Sequence, residues 1–280
     1  MEYLERRVAL VEERLTEVVE SVEPDRLRDQ VDHVALSGGK RVRPAVTILA
    51  CEAVGGMSEE AVDFAVGIEL VHSASLVVDD IIDRSDVRRG TESAWSAYDH
   101  GSAIVASDGL LGEAFALFSA DERAMRVAAD AMVELGEGEA SELVARPTNE
   151  AEYMTLARRK TGALFRAAAE LGAIAGDADP YTVESFGDYA EGVGVAFQIR
   201  DDVLDATAQA GDLGKPTGQD EAVDRPSVVR VTELAPEEAD SRARSRADDA
   251  LAALDAAEVV DREAGGYLRD LAEFVVVRER

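Results

Sequence analysis

Apolar residues return at intervals of three and four along most of the chain, the pattern of helices that bury one face. Val62, Val66, Leu70, Val71 and Ala74 form one such series, and it predicts a long helix running into Asp79-Asp80-Ile81-Ile82-Asp83. Glu150 to Ile174 reads as another helix, with Met154, Leu156, Ala157, Leu164, Phe165, Ala168 and Leu171 on its buried side and Gly176 and Pro180 marking its end. A further helix runs from about Tyr181 into Asp201-Asp202-Val203-Leu204-Asp205. Its glycines, Gly187, Gly192 and Gly194, lower helix propensity but leave room for a close neighbour. Met1 to Glu20 mixes Glu and Arg with Val and Leu as an amphipathic helix does, and Ala235 to Ala264 predicts a solvent-flanked helix pair. No segment alternates as a strand would, and no repeat period is present. The expected fold is an all-α helical bundle around a central cavity, with no Pro/Gly/Ser-rich linker dividing residues 1–280 into more than one domain.

The two aspartate segments share the pattern Asp-Asp-x-x-Asp. On a helix, members three and four residues apart lie on nearly one face, where their charges repel unless a cation neutralises them. Ligands that are all oxygen suit a hard divalent ion, and Mg²⁺ prefers a few carboxylates completed by water and phosphate oxygens. The flanks, Ser75-Leu76-Val77-Val78 and Val195-Ala196-Phe197, are core-like rather than those of a solvated acidic surface. One triplet on each of two facing helices would frame a cavity. Arg88 and Arg89 follow the first triplet and Lys215 the second, and cations interleaved with metal-binding carboxylates describe a diphosphate site. The apolar remainder of the helices suggests a hydrocarbon tail beneath that charged mouth.

Composition narrows the partners. With 280 residues, 46% of them hydrophobic, the chain can bury a large core. A net charge of -29 disfavours nucleic acid and anionic membrane surfaces. It suits a protein working in high salt, where the self-repulsion is screened, so a halophilic source is expected. The single cysteine, Cys51, excludes an internal disulfide and a multi-cysteine metal site, and cytoplasmic residence is the default. The N-terminal stretch lacks the apolar core of a signal peptide, and no uninterrupted apolar run reaches the roughly 18 residues of a membrane span. Of the 29 basic residues only Lys40, Lys160 and Lys215 are lysines, each beside Gly or Thr, where a phosphate would want a compact ammonium.

Taken in order, these segments resemble the trans-prenyltransferases, the isoprenyl (polyprenyl) diphosphate synthases. The resemblance rests on Gly38-Gly39-Lys40-Arg41-Val42-Arg43-Pro44, His72 before the first triplet, Arg88-Arg89-Gly90, Lys160-Thr161-Gly162, Phe197-Gln198 before the second triplet, and Gly214-Lys215-Pro216. It covers about Leu36 to Asp220. It implies a helical bundle, a homodimer, and condensation of isopentenyl diphosphate with an allylic diphosphate held through three Mg²⁺ ions. The implied metal ligands are Asp79, Asp80, Asp83 and Asp201, with Asp202 and Asp205 acting through water. Arg88, Lys160 and Lys215 would hold the allylic diphosphate. Lys40, Arg43, His72 and Arg89 would hold isopentenyl diphosphate, with Phe197 near its hydrocarbon part. Thr161 and Gln198 would steady the allylic cation.

Some positions depart from that family's pattern: Asp224-Arg225-Pro226-Ser227 replaces a Gly-Lys-x-Thr segment, Glu139 replaces Gln, and Ser107 replaces Gly. His33 and His100 read as structural or surface residues, Trp95 and Tyr98 as packing, and Asp86 as a partner for an arginine such as Arg89. In the resemblance, product length depends on side chains just before the first triplet. Ala74 and Ser75 are small there, which disfavours products shorter than C15; a C20 product, geranylgeranyl diphosphate, is expected, partly because a halophilic source would need C20 chains for lipids, with a C25 or longer chain as the alternative. Terpene cyclases and non-catalytic synthase subunits are the competing classes; the first do not need the second triplet, and the second would show eroded ligands.

Overall fold

In a computed structural model, residues 2–211, 227–232 and 234–277 are described. The amphipathic start forms α1 (Glu2–Glu20), followed by α2 (Asp25–Ala35) and α3 (Val42–Ala53). The first triplet closes α4 (Ser58–Asp83). A short hairpin, β1 (Val87–Arg88) and β2 (Thr91–Glu92), leads through α5 (Ala94–Ala97) into α6 (His100–Phe118) and α7 (Glu122–Ala140). Then come α8 (Glu150–Ala157), α9 (Ala163–Ala175), α10 (Pro180–Gly211), α11 (Val228–Thr232), α12 (Pro236–Ala256) and α13 (Arg262–Val277).

The fold is an all-α bundle, as the periodicity predicts. α4 is its axis: it packs on α3, α6 and α9 and buries Ala61, Phe64, Ala65, Ile68, Leu70, Val71, Ala74 and Val77. α10 packs between α9 and α12. The helices come close because small residues line their seams. A Cβ on Gly172 of α9 would collide with the Thr47 carbonyl of α3, and α12 lays Ala239, Ala243, Ala247 and Ala250 along its buried side. The glycines of α10 do the same work, since side chains there would meet Glu170, Ala250 and Phe165.

Three sequence expectations need correction. The stretch 150–174 is α8 and α9 joined by a π turn at Arg158–Gly162, because one extra residue is accommodated where Lys160 and Thr161 must turn inward. The stretch 235–264 holds one whole helix and only the start of the next, which runs on to Val277. The missed hairpin is too short for alternation to reveal. Its two-residue turn uses Arg89 and Gly90, both at positive φ (52° and 82°), as a tight hairpin turn requires.

Among the described residues, α4 and α6 are long and apolar enough to cross a membrane by length and composition, although each carries polar residues that interrupt its apolar run. In α4, 67% of the apolar window is buried inside the bundle; in α6 only 33% is. Ile104 and Val105 of α6 stand exposed.

Candidate active site

The helical stripe of α4 that carries His72, Leu76, Asp79 and Asp83 follows from their spacing of three and four residues. Asp80, one residue and about 100° further round from Asp79, lines a cleft with Leu76, Ser73, Val77, Arg88 and Ser93. It is buried, at 3% exposure, and Arg88 grips it: Nε donates to Oδ1 at 2.9 Å and to Oδ2 at 3.2 Å, and Nη2 also pairs with Oδ1. The hairpin places Arg88 there by folding the chain back over the end of α4.

The π turn brings Lys160 to the first triplet. Its Nζ lies 3.5 Å from Asp79 Oδ1 and 3.1 Å from Glu139 Oε1, and it pairs with Glu142, itself in a second π turn at Ser141–Ala145. Burial works against the Lys160 ammonium, but Asp79, Glu142 and Glu139 outweigh it and raise its pKa, so the charge is secure. Burial and then the Asp79 charge push Glu139 up to about 7, with Lys160 opposing.

From this turn a polar path crosses to the second triplet. Thr161 Oγ1 donates to Gln198 Oε1 at 2.8 Å, and Gln198 Nε2 donates to Asp202 Oδ1 at 2.9 Å. Asp202 Oδ2 accepts from the Tyr153 hydroxyl at 2.6 Å and from the Val228 backbone N–H at 2.8 Å. Both carboxylate oxygens of Asp202 therefore serve protein donors. Burial raises its pKa, while the Tyr153, Val228 and Gln198 hydrogen bonds pull it down.

The six aspartates expected to serve a cation differ in their present partners. In each triplet the second member, Asp80 or Asp202, turns inward and is occupied by an arginine or by three hydrogen bonds. Asp79, Asp83 and Asp201 are the partly exposed members. Lys215 lies outside the described residues, as does the side chain of Asp205, and Arg225 with them. Among the described residues, no three His, Cys, Asp or Glu side chains are close enough to hold a metal ion by themselves. The donors left facing the cavity are hard oxygens, which suits an ion that keeps water and takes phosphate oxygens as its remaining ligands.

Further along α4, a cationic cluster surrounds His72. Burial drives the imidazole pKa well below its usual value, and the charges of Arg43, Arg89, Arg88 and Arg41 push the same way, so the ring is neutral at pH 7. Burial, and the neighbouring Arg89, bring Arg43 down to about 10, against the pull of Glu69, and it remains a cation. Its guanidinium lies 4.6 Å above the ring of Phe165, and Phe165 meets Phe197 at 6.2 Å between centroids. Arg89 reaches the Gly38 carbonyl rather than Asp86, so the expected Asp86 pairing with Arg89 is not formed. Lys40 stands exposed on the same loop. The sequence reading placed Phe165 only on a buried helix face, without its contacts to Arg43 and Phe197, and gave Tyr153 and Glu142 no role.

The remaining histidines and aromatics pack as expected. His33 contacts the Glu92 carbonyl at 2.8 Å, His100 lies against Trp95, and the Trp95 and Tyr98 side chains donate to backbone carbonyls. Cys51 is buried in the apolar core.

The bundle thus sets an acidic cluster at the end of α4 and, around His72 of the same helix, a basic cluster supplied by α3 and the hairpin. The polyprenyl synthetase family profile matches residues 24–261, and the chain belongs to that family. It is 34% identical over 255 residues to a short chain isoprenyl diphosphate synthase from Methanothermobacter thermautotrophicus, covering 88% of this chain and 78% of that one. Its fold matches a geranylgeranyl pyrophosphate synthetase from Pyrococcus horikoshii Ot3 with a TM-score of 0.88 at 32% identity, over 99% and 98% of the two chains. It also matches a polyprenyl synthase from Caulobacter crescentus CB15 complexed with calcium and isoprenyl diphosphate, with a TM-score of 0.86 at 26% identity, over 100% and 97%.

Proposed function

We propose that the protein is a Mg²⁺-dependent trans-prenyltransferase that joins isopentenyl diphosphate head-to-tail to allylic diphosphates, ending at geranylgeranyl diphosphate. One observation carries this reading. Two side-chain clusters meet a single face of α4, one at Asp79 with Lys160 and one at His72 with Arg43 and Arg89, seven residues or about 10 Å apart, and each would hold a diphosphate. Two diphosphates, one metal-held and one held by cations alone, meet such a pair of sites. The C20 product agrees with the small side chains Ala74 and Ser75, and with the short chain and geranylgeranyl relatives.

Asp79, Asp83 and Asp201 would hold the Mg²⁺ ions, three by resemblance, with Asp205 completing the set. Bound there, Mg²⁺ supplies charge stabilisation for the diphosphate that leaves as the allylic C–O bond ionises. Lys160 adds a fixed ammonium to the same group, joined by Lys215 and by Arg88 once it lets go of Asp80. Thr161 donates its proton to Gln198, which leaves hydroxyl lone pairs for the allylic cation. Lys40, Arg43, Arg89 and the neutral His72 orient isopentenyl diphosphate, and Phe165 and Phe197 pack its isoprenoid part. Its alkene attacks the cation, a new C–C bond forms, and the proton lost passes to the departed diphosphate. The site draws on helices from α3 to α11, which supports a single catalytic domain over residues 1–280. The exposed apolar side of α6 supports a homodimer, and the net charge of -29 supports a cytoplasm of high salt.

Substituting Ala74 by Phe is expected to shorten the main product by one or two isoprene units without loss of turnover. Chromatographic sizing of products checks this. An active variant with an unchanged product would contradict the placement of the hydrocarbon tail along this part of α4.

A further inference from the structure

We infer that Glu12, on α1, is a positioning residue for the isopentenyl diphosphate site. The inference rests on the substrate reading above and concerns the loop that carries Lys40 and Arg43. Between those two residues Arg41 caps α3 with a left-handed backbone, φ 47°, a conformation that residues other than glycine adopt only when their surroundings hold them. Its side chain is wholly buried, at 0% exposure, and its polar contacts run to three different helices. Nε donates to Glu12 Oε1 at 2.6 Å and Nη2 reaches Glu12 Oε2 at 3.5 Å. Nη1 donates to Glu69 Oε1 of α4 at 2.6 Å, and Nη2 to the Ala35 carbonyl at the end of α2 at 2.8 Å.

Arg41 thus ties α1, α2 and α4 to one point of the substrate loop. Glu69 belongs to the axial helix and is buried beside His72, so its role is shared with the core. Glu12 is different. It lies outside residues 24–261, the region matched by the family profile, and its side chain is 40% exposed, so it is not needed to fill the core. α1 is itself fixed, since Arg7 meets Glu52 at 2.8 Å and Arg14 meets Asp63 at 2.7 Å. A fixed helix holding a buried arginine in a strained backbone conformation sets where Lys40 and Arg43 stand.

The sign of the effect separates positioning from simple electrostatics. Removing the negative charge of Glu12 makes the loop more positive, and by Coulomb's law alone that would tighten diphosphate binding. Loss of positioning weakens it.

The test uses the full chain and its Glu12→Gln and Glu12→Ala variants in high salt with Mg²⁺. Isopentenyl diphosphate alone has no allylic partner to react with, so its affinity can be measured by calorimetry. A misplaced phosphate-binding loop is expected to weaken isopentenyl diphosphate binding about tenfold in both variants, with the allylic KM and kcat at saturation within about twofold. Glu12→Asp, which keeps the charge, is expected to recover part of the loss. Equal or tighter binding in folded Glu12→Gln would overturn the inference while leaving the substrate reading intact. Wild-type protein that takes up no isopentenyl diphosphate would overturn the substrate reading, and the role of Glu12 with it.

Discussion

Replacing Asp79 by Asn is expected to lower turnover about a thousandfold, roughly 4 kcal/mol of transition-state stabilisation, while the protein melts within a few degrees of wild type. Asp79 lies on the cavity-facing stripe of α4 and pairs with Lys160, which keeps Glu139 and Glu142 when Asp79 is neutralised. The substitution therefore removes charge from the proposed cation site without opening a hole in the core. Asn retains the shape of Asp and relieves repulsion within an acidic cluster, so any change in stability is small. Steady-state rates beside a thermal melt decide the matter. Turnover within tenfold of wild type would refute Asp79 as a metal ligand.

Asp202→Ala is expected to act in the opposite manner, by destabilising the fold. The change would strand the Tyr153 hydroxyl, the Val228 N–H and one Gln198 amide hydrogen bond around a buried position. Each stranded donor costs about 1–3 kcal/mol, and with some water entering, the sum is about 4 kcal/mol. In a chain of this length that lowers the melting temperature by roughly 10 °C. Tyr153→Phe removes one of the three bonds and should fall between wild type and Asp202→Ala. Calorimetric melts of the three proteins test the order. A variant Asp202→Ala as stable as wild type would mean that these hydrogen bonds do not hold α11 and α8 onto α10.

The contrast between Asp79 and Asp202 also marks where sequence reading stops. Periodicity placed α1, α4 and α10, and motif order placed Asp79, Lys160, Thr161 and Gln198 at one site, because spacing along a helix fixes a face. It did not say which way Asp80 and Asp202 point. Residues one position apart differ by about 100° on a helix, and the partners that claim the second aspartates come from a hairpin, from α8 and from α11. The π turn at Arg158–Gly162 was invisible for a related reason: its neighbours have ordinary helical composition, and the inserted residue is tolerated for what it does to Lys160 and Thr161. The hairpin of Val87–Arg88 and Thr91–Glu92 is held by its turn residues rather than by alternating side chains. Arg41 was part of a recognised segment, yet its buried pairing with Glu12 and Glu69 joins residues 29 and 28 positions away, a distance no local pattern encodes.

The central claim is that the two anion sites on α4 bring an allylic diphosphate and isopentenyl diphosphate together for chain elongation. Purified protein in high salt would be incubated with labelled isopentenyl diphosphate and, separately, C5, C10, C15 and C20 allylic primers, with Mg²⁺ or with EDTA, and the products sized. The account predicts a Mg²⁺-dependent ladder that ends at C20. Folded protein that elongates none of the four primers in Mg²⁺ would contradict it.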